Sequence, residues 1–171
     1  MAGLSDFRNY AFDTARIDSG GKDLGRKIYW KLYAAENIVR VIVHSVLIVQ
    51  APDPNWWPLA VDPGMKKTVA RFRAKYALQP WHSTPGKHDI YYTFLSDLNE
   101  IIRANANLFR PIIPDIDDWI AKIETVRLPR NIVGHMNWLT TTDRKRIDVF
   151  YDDLQQLIKQ LAANKFSFVI P

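Results

Sequence analysis

Residues 23–50 read DLGRKIYWKLYAAENIVRVIVHSVLIVQ, with apolar side chains at Ile28, Leu32, Ala35, Val39, Ile42, Val46 and Val49. Steps of three and four place these on one face of a helix, and the remaining faces are nearly as greasy, which predicts a central, mostly buried helix. Pro52 and Pro54 end it, because proline cannot donate inside a helix. Downstream the same period recurs. After a loop holding Trp56, Trp57 and Pro58, a second helix is expected from Pro63 or Gly64 to Leu78. Gln79 to Asp89, with Pro80, Pro85 and Gly86, is a break. A third helix is expected from Tyr92 to Phe109, and a fourth from Asp115, behind Pro114, to Arg127, its continuation carrying residues 130–135. A last helix opens at Thr141 or Thr142 and buries Ile147, Phe150, Leu154, Leu157 and Leu161. Phe166 to Pro171 reads as an extended apolar tail, packed on the core or on a partner. The expectation is an all-α, single-domain bundle of five or six helices. Residues 1–21 form an N-terminal extension, 22–164 the helical domain and 165–171 the tail.

A chain of 171 residues suits one domain, and 47% hydrophobic with 24% charged is an ordinary globular balance. The absence of cysteine excludes a disulfide framework, a thiol nucleophile and a Cys-based zinc site. Residues 1–21 lack the apolar core of a secretory signal. Val39 to Val49, interrupted by Arg40 and His44, is too short to cross a bilayer, so a cytoplasmic protein without membrane contact is expected. The net charge of +5 favours an anionic partner. Lys67, Arg71 and Lys75, at i, i+4 and i+8, form either a solvated helix face or a surface that tracks RNA phosphates, and Arg144-Lys145-Arg146 add a second basic cluster.

Chemistry concentrates in Arg130-Asn131-Ile132-Val133-Gly134-His135. Arginine supplies a permanently charged fork of donors, and imidazole exchanges protons near neutrality. Positions five apart on a regular helix diverge by roughly 140°, so Arg130 and His135 cannot share a pocket on straight helix. Pro129 or Gly134 must bend the site, or a second copy of the chain must complete it. On the first helix, Glu36, Arg40 and His44 form a polar stripe that is either an internal ion pair fixing the packing or a set of side chains backing the motif. Of the other histidines, His44 reads as structural, and His82 and His88 lie in a loop suited to touching ligand rather than metal. Trp138 is either core or a stacking face for a nucleobase.

The pattern Arg-Asn-x-x-x-His near the end of an all-helical domain of this size resembles the HEPN superfamily, whose active members are metal-independent RNases. Leu32-Tyr33-Ala34-Ala35-Glu36-Asn37-Ile38-Val39-Arg40, the Trp56-Trp57 pair, Tyr91-Tyr92-Thr93-Phe94-Leu95-Ser96-Asp97-Leu98 and the final motif are similar, in that order, to one branch of it. That branch is also found attached to a nuclear RNA-surveillance endonuclease. The resemblance implies a homodimer with two motif helices facing across a cleft, and no metal or cofactor. It further implies His135 as proton-transfer group, Arg130 as phosphate ligand, Asn131 as orienting amide, and Glu36, Asn37 and Arg40 behind them. An RNA substrate belongs to the same expectation, as do a toxin or defence effector held by an inhibitory protein partner and the rival possibility of a non-catalytic nucleotide- or RNA-binding or protein-interaction module.

Overall fold

Asp13 starts the first helix: its carboxylate accepts the N–H of Ala15, one of the donors a helix start leaves unpaired. In the computed structural model, which describes residues 6–171, the chain then stays helical to Gln50. This helix, α1 (Thr14–Gln50), begins well before Asp23 and takes Thr14 to Gly21 out of the expected extension, residues 1–5 of which lie outside the described chain. Its first turns bury only Asp23, so they have no apolar face for periodicity to reveal. At Gly25–Tyr29 the backbone widens into a π-helical turn, which accommodates one residue more than an α turn.

By length and composition α1 could cross a membrane, its most apolar window reaching a mean hydropathy of 1.6. Much of its apolar surface is nevertheless covered by the chain itself: Ala35, Val39, Val43, Val46 and Leu47 are buried, although Val49, expected on the buried face, is 62% exposed near the helix end. The protein is compatible with a soluble state in which α1 is the core helix.

Six further helices follow among the described residues: α2 (Trp57–Ala60), α3 (Pro63–Ala77), α4 (Leu95–Ala104), α5 (Ala106–Phe109), α6 (Ile116–Gly134) and α7 (Thr141–Ala163). Because α2 and α5 are single turns, the bundle rests on five long helices. α1 packs against α4, α5 and α7, while α6 packs against α4 and α7. All five apolar positions expected on the last helix are buried in α7, each stabilising by about 1.5–3 kcal/mol before entropy is counted. α3 buries only Val69 and lies beside the 3-10 turn Asp89–Tyr92 at the edge of the bundle.

The expected single helix from Tyr92 to Phe109 is divided twice. Thr93 and Phe94 are extended, and Asp97 restarts the helix by accepting the N–H of Phe94 at 2.8 Å. Asn105 then leaves helical geometry, its amide donating to the carbonyls of Ala60 and Ile101, each at 2.8 Å. The tail settles on the core: Phe166 and Phe168 pack against it, and the N–H of Val169 donates to Ser45 Oγ at 2.8 Å on α1.

Candidate functional site

Arg40 projects from the middle of α1 into a buried position and uses its whole guanidinium. Nε donates to the Ile90 carbonyl at 3.1 Å, Nη1 to Asn37 Oδ1 at 2.8 Å, and Nη2 to the Thr93 carbonyl at 2.8 Å and to Glu36 Oε1 at 2.7 Å. The other oxygen of Glu36 accepts Arg130 Nε from α6 at 3.0 Å. One carboxylate therefore holds two guanidiniums from different helices, a local charge of +1 (two cations less one anion). The stripe on α1 is an internal ion pair and also faces Arg130. His44 takes no part in it.

These groups floor an open cleft of about 390 Å³, walled by Tyr29, Tyr33, Tyr91 and Met136. Tyr33 is 65% exposed, leaving much of its ring free for a ligand. The guanidinium of Arg130 lies 5.0 Å from the centre of the Phe94 ring, a cation–π distance. Its Nη1 sits 3.4 Å from where a β-carbon on residue 134 would stand, so the guanidinium lies close over Gly134. Gly86 has a stricter role: a β-carbon there would approach the Tyr91 ring to 2.4 Å, and only glycine lets the loop close on that wall.

The motif itself is divided. α6 continues through Pro129, which is buried, and through Gly134, so neither residue ends the helix. The chain turns at Met136, with φ at 57°, and the N–H of Asn137 donates back to the Ile132 carbonyl at 3.0 Å. On regular helix Asn131 and His135 lie about 40° apart, while Arg130 points away from both. Accordingly, Arg130 turns inward onto Glu36, whereas Asn131 and His135 are exposed and their side chains have no hydrogen-bond partner among the described residues. The structure brings Arg130 together with Glu36, Asn37 and Arg40. The Asn131 and His135 side chains lie outside the cleft lining, although Gly134 and Met136, on either side of His135, belong to it.

Lys67, Arg71 and Lys75 are exposed on α3 and have no carboxylate partner among the described residues. Their neighbour Phe72 meets Phe94 edge-on at 6.4 Å, so two rings connect the basic helix to Arg130. Trp138 lies elsewhere. The guanidinium of Arg144 covers its ring at 4.3 Å and Gly20 packs beside it, so it does not line the cleft. Sequence reasoning did not single out Tyr29 or Phe94 as site residues. A signal for the tyrosines was present, since Tyr29 and Tyr33 continue the spacing of the Glu36–Arg40 stripe toward the N-terminus.

Behind the cleft, Trp56 Nε1–H donates to His44 Nδ1 at 3.1 Å, and the N–H of Ile90 donates to His88 Nδ1 at 3.1 Å. The imidazoles meet edge to face, 4.8 Å between centres. Burial, reinforced by His88 alongside, pushes His44 down to about 4; burial also lowers His88, against the opposing pull of Asp89. Both act as neutral acceptors. The same loop reaches the cleft through Pro85 and Tyr91, while His82 stays exposed. No group of three His, Asp or Glu side chains converges as metal ligands among the described residues. Comparison with family models, curated proteins and solved structures finds no match for this chain.

Proposed function

We propose that the protein is a metal-independent endoribonuclease of HEPN type whose site is shared by two copies of the chain. The observation that supports this is the division of the motif, with Arg130 inward on Glu36 and Asn131 and His135 outward without partners. An isologous dimer through the end of α6 would set each exposed His135 beside its own copy. One neutral imidazole then removes the proton of a ribose 2′-hydroxyl, whose oxygen attacks the adjacent phosphorus. The second, protonated, gives its proton to the departing 5′-oxygen. The products are a 2′,3′-cyclic phosphate and a 5′-hydroxyl, so DNA, lacking the nucleophile, is not cut. Arg130 holds the phosphate oxygens as charge develops, and Asn131 orients the scissile group. RNA is the substrate, the compartment is the cytoplasm, and an inhibitory protein partner would cover the exposed His135 face.

Cleavage of single-stranded RNA in EDTA tests the proposal, with His135→Ala and Arg130→Ala as controls that retain their circular dichroism. Each homodimer of a variant should be inactive; if one His135 and one Arg130 from different chains suffice, with water in place of the second imidazole, mixing the two should restore part of the activity, and if both imidazoles are required it should not. Activity lost to EDTA would refute the chemistry, and a fully active monomer would refute the shared site. One observation favours a second reading, a non-catalytic nucleotide- or RNA-binding module: Arg130 already commits Nε to Glu36. Equal inactivity of wild type and His135→Ala toward varied RNAs, under conditions where the protein is dimeric, would establish that reading instead.

A further inference from the structure

The π-helical turn at Gly25–Tyr29 has a second pocket on its other side. Tyr29 lines the cleft, whereas Arg26, Lys27, Ile28 and Trp30 line a separate open pocket of about 340 Å³ that faces α7. Lys31, Arg144 and Asp148 complete it. Lys31 Nζ pairs with Asp148 at 2.5 Å, and Lys27 and Arg144 both pair with buried Asp23, at 2.6 and 2.7 Å. Arg26 has no carboxylate partner among the described residues and is exposed. The lining and its ion-pair partners thus hold four cations and two carboxylates, a net charge of +2 (four less two).

A comparison within the molecule shows that this excess is not simply what a basic protein displays in any groove. The groove between α6 and α7, of about 320 Å³, is lined by Lys122, Lys145 and Arg146. There Lys122 pairs with Asp118 and Asp153 and Arg146 with Asp143, three cations against three carboxylates, a net charge of zero. At the π turn the chain instead concentrates positive charge in a concave site. It also holds Arg144 between Asp23 and the face of Trp138. Trp30, braced edge-on by Tyr151 at 5.1 Å, gives the pocket a flat, partly exposed apolar wall. Like-charged groups gathered without enough counter-charge repel one another, and a bound dianion removes that cost.

We infer that this pocket binds a phosphate group, supplied either by a free nucleotide or by a polynucleotide backbone, with Arg26 and Arg144 as its principal ligands and Trp30 against the attached sugar or base. Guanidinium pairs suit phosphate because their fixed donor forks match its oxygens. The site is separate from the cleft and does not depend on ribonuclease activity.

The test is a titration of 15N-labelled protein with inorganic phosphate, with the indole N–H of Trp30 followed by NMR and that of Trp119, on α6, as control. Saturable movement of the Trp30 signal alone is expected. Two variants should act in opposite directions. Arg26→Glu reduces the net charge to zero and should weaken phosphate binding about tenfold or more, the scale of a lost charge-assisted hydrogen bond at a partly screened site. Asp148→Asn raises the net charge to +3 and should tighten binding, an outcome that damage to the fold cannot mimic. Arg130→Ala, in the cleft, should leave the titration unchanged. Adenosine monophosphate and a short single-stranded oligodeoxynucleotide then separate the two sources. Displacement of phosphate by the mononucleotide alone identifies a nucleotide site, and displacement by the oligonucleotide identifies a backbone contact. A Trp30 signal that phosphate does not move, or one that moves identically in both variants, overturns the inference.

Discussion

Glu36 holds two guanidinium groups, and they depend on it unequally. Arg40 is buried and ties Glu36 to the Ile90 and Thr93 carbonyls, whereas the Arg130 side chain is 24% exposed and donates through Nε alone. Removing one partner of a buried pair leaves an uncompensated charge, so Glu36→Ala should cost on the order of 3 kcal/mol in urea unfolding. Arg130→Ala should cost about 1 kcal/mol. Equal costs would mean that Arg130 supports the fold as much as Glu36 does. His44 supplies a second prediction. The unfolded chain takes up its proton near 6.5 and the folded chain only near 4, so the neutral histidine contributes stability that is full above 6.5 and lost as pH falls toward 4. The loss should be on the order of 3 kcal/mol. His44→Gln keeps an acceptor for the Trp56 indole and should flatten this part of the pH–stability curve; an unaltered slope would assign the dependence to other groups.

Among the elements, the end of α6 shows what local sequence can hide. Gly134 invited the assignment of a turn, yet it is helical, and the left-handed residue is Met136, 82% exposed. Glycine adopts that conformation without steric cost, so Met136→Gly should raise the thermal midpoint, with a gain of about 1 kcal/mol. A loss would show that the methionine side chain packs in a way its exposure conceals. α7 was legible because five apolar residues keep helical spacing and Thr140 caps its start. The breaks at Phe94 and Asn105 were not, because they are set by hydrogen bonds, one local to Asp97 and one to Ala60 across the fold. The early start of α1 was hidden by its polar composition. Pro129 passes inside α6 with its ring buried, and that burial offsets part of the roughly 3 kcal/mol a helix-interior proline costs.

At the scale of the whole molecule, the polar stripe of α1 and the motif of α6, far apart in sequence, meet at a single carboxylate. Glu36, Arg40 and Arg130 could be nominated from residue types and spacing, and Asn37 from the family resemblance. Their joint geometry could not, because it depends on how α1 and α6 cross. The aromatic link through Phe72 and Phe94 connects α3, which carries the basic face, to Arg130 of this cleft. If Lys67, Arg71 and Lys75 guide RNA there, changing all three to Gln should weaken RNA binding and flatten the log–log salt dependence by about 2, since each phosphate contact on a single strand contributes about −0.7. Binding measured across a range of salt concentrations checks this. An unchanged slope would return these side chains to ordinary solvation.

The π turn of α1 also sets a phase relation. Each residue advances a helix by about 100° and 1.5 Å, so the additional residue in this turn fixes the angular setting of everything before it relative to everything after. Excising one residue from 25–29 would allow a regular α-helix, yet it would rotate Thr14 to Leu24 by about a quarter of a revolution. Asp23 would swing away from Arg144 while Glu36 kept its alignment with Arg130. The widened turn thus behaves as a coupling between two shafts: it lets one continuous helix turn Asp23 toward Arg144 of α7 near its start and Glu36 toward Arg130 of α6 farther along.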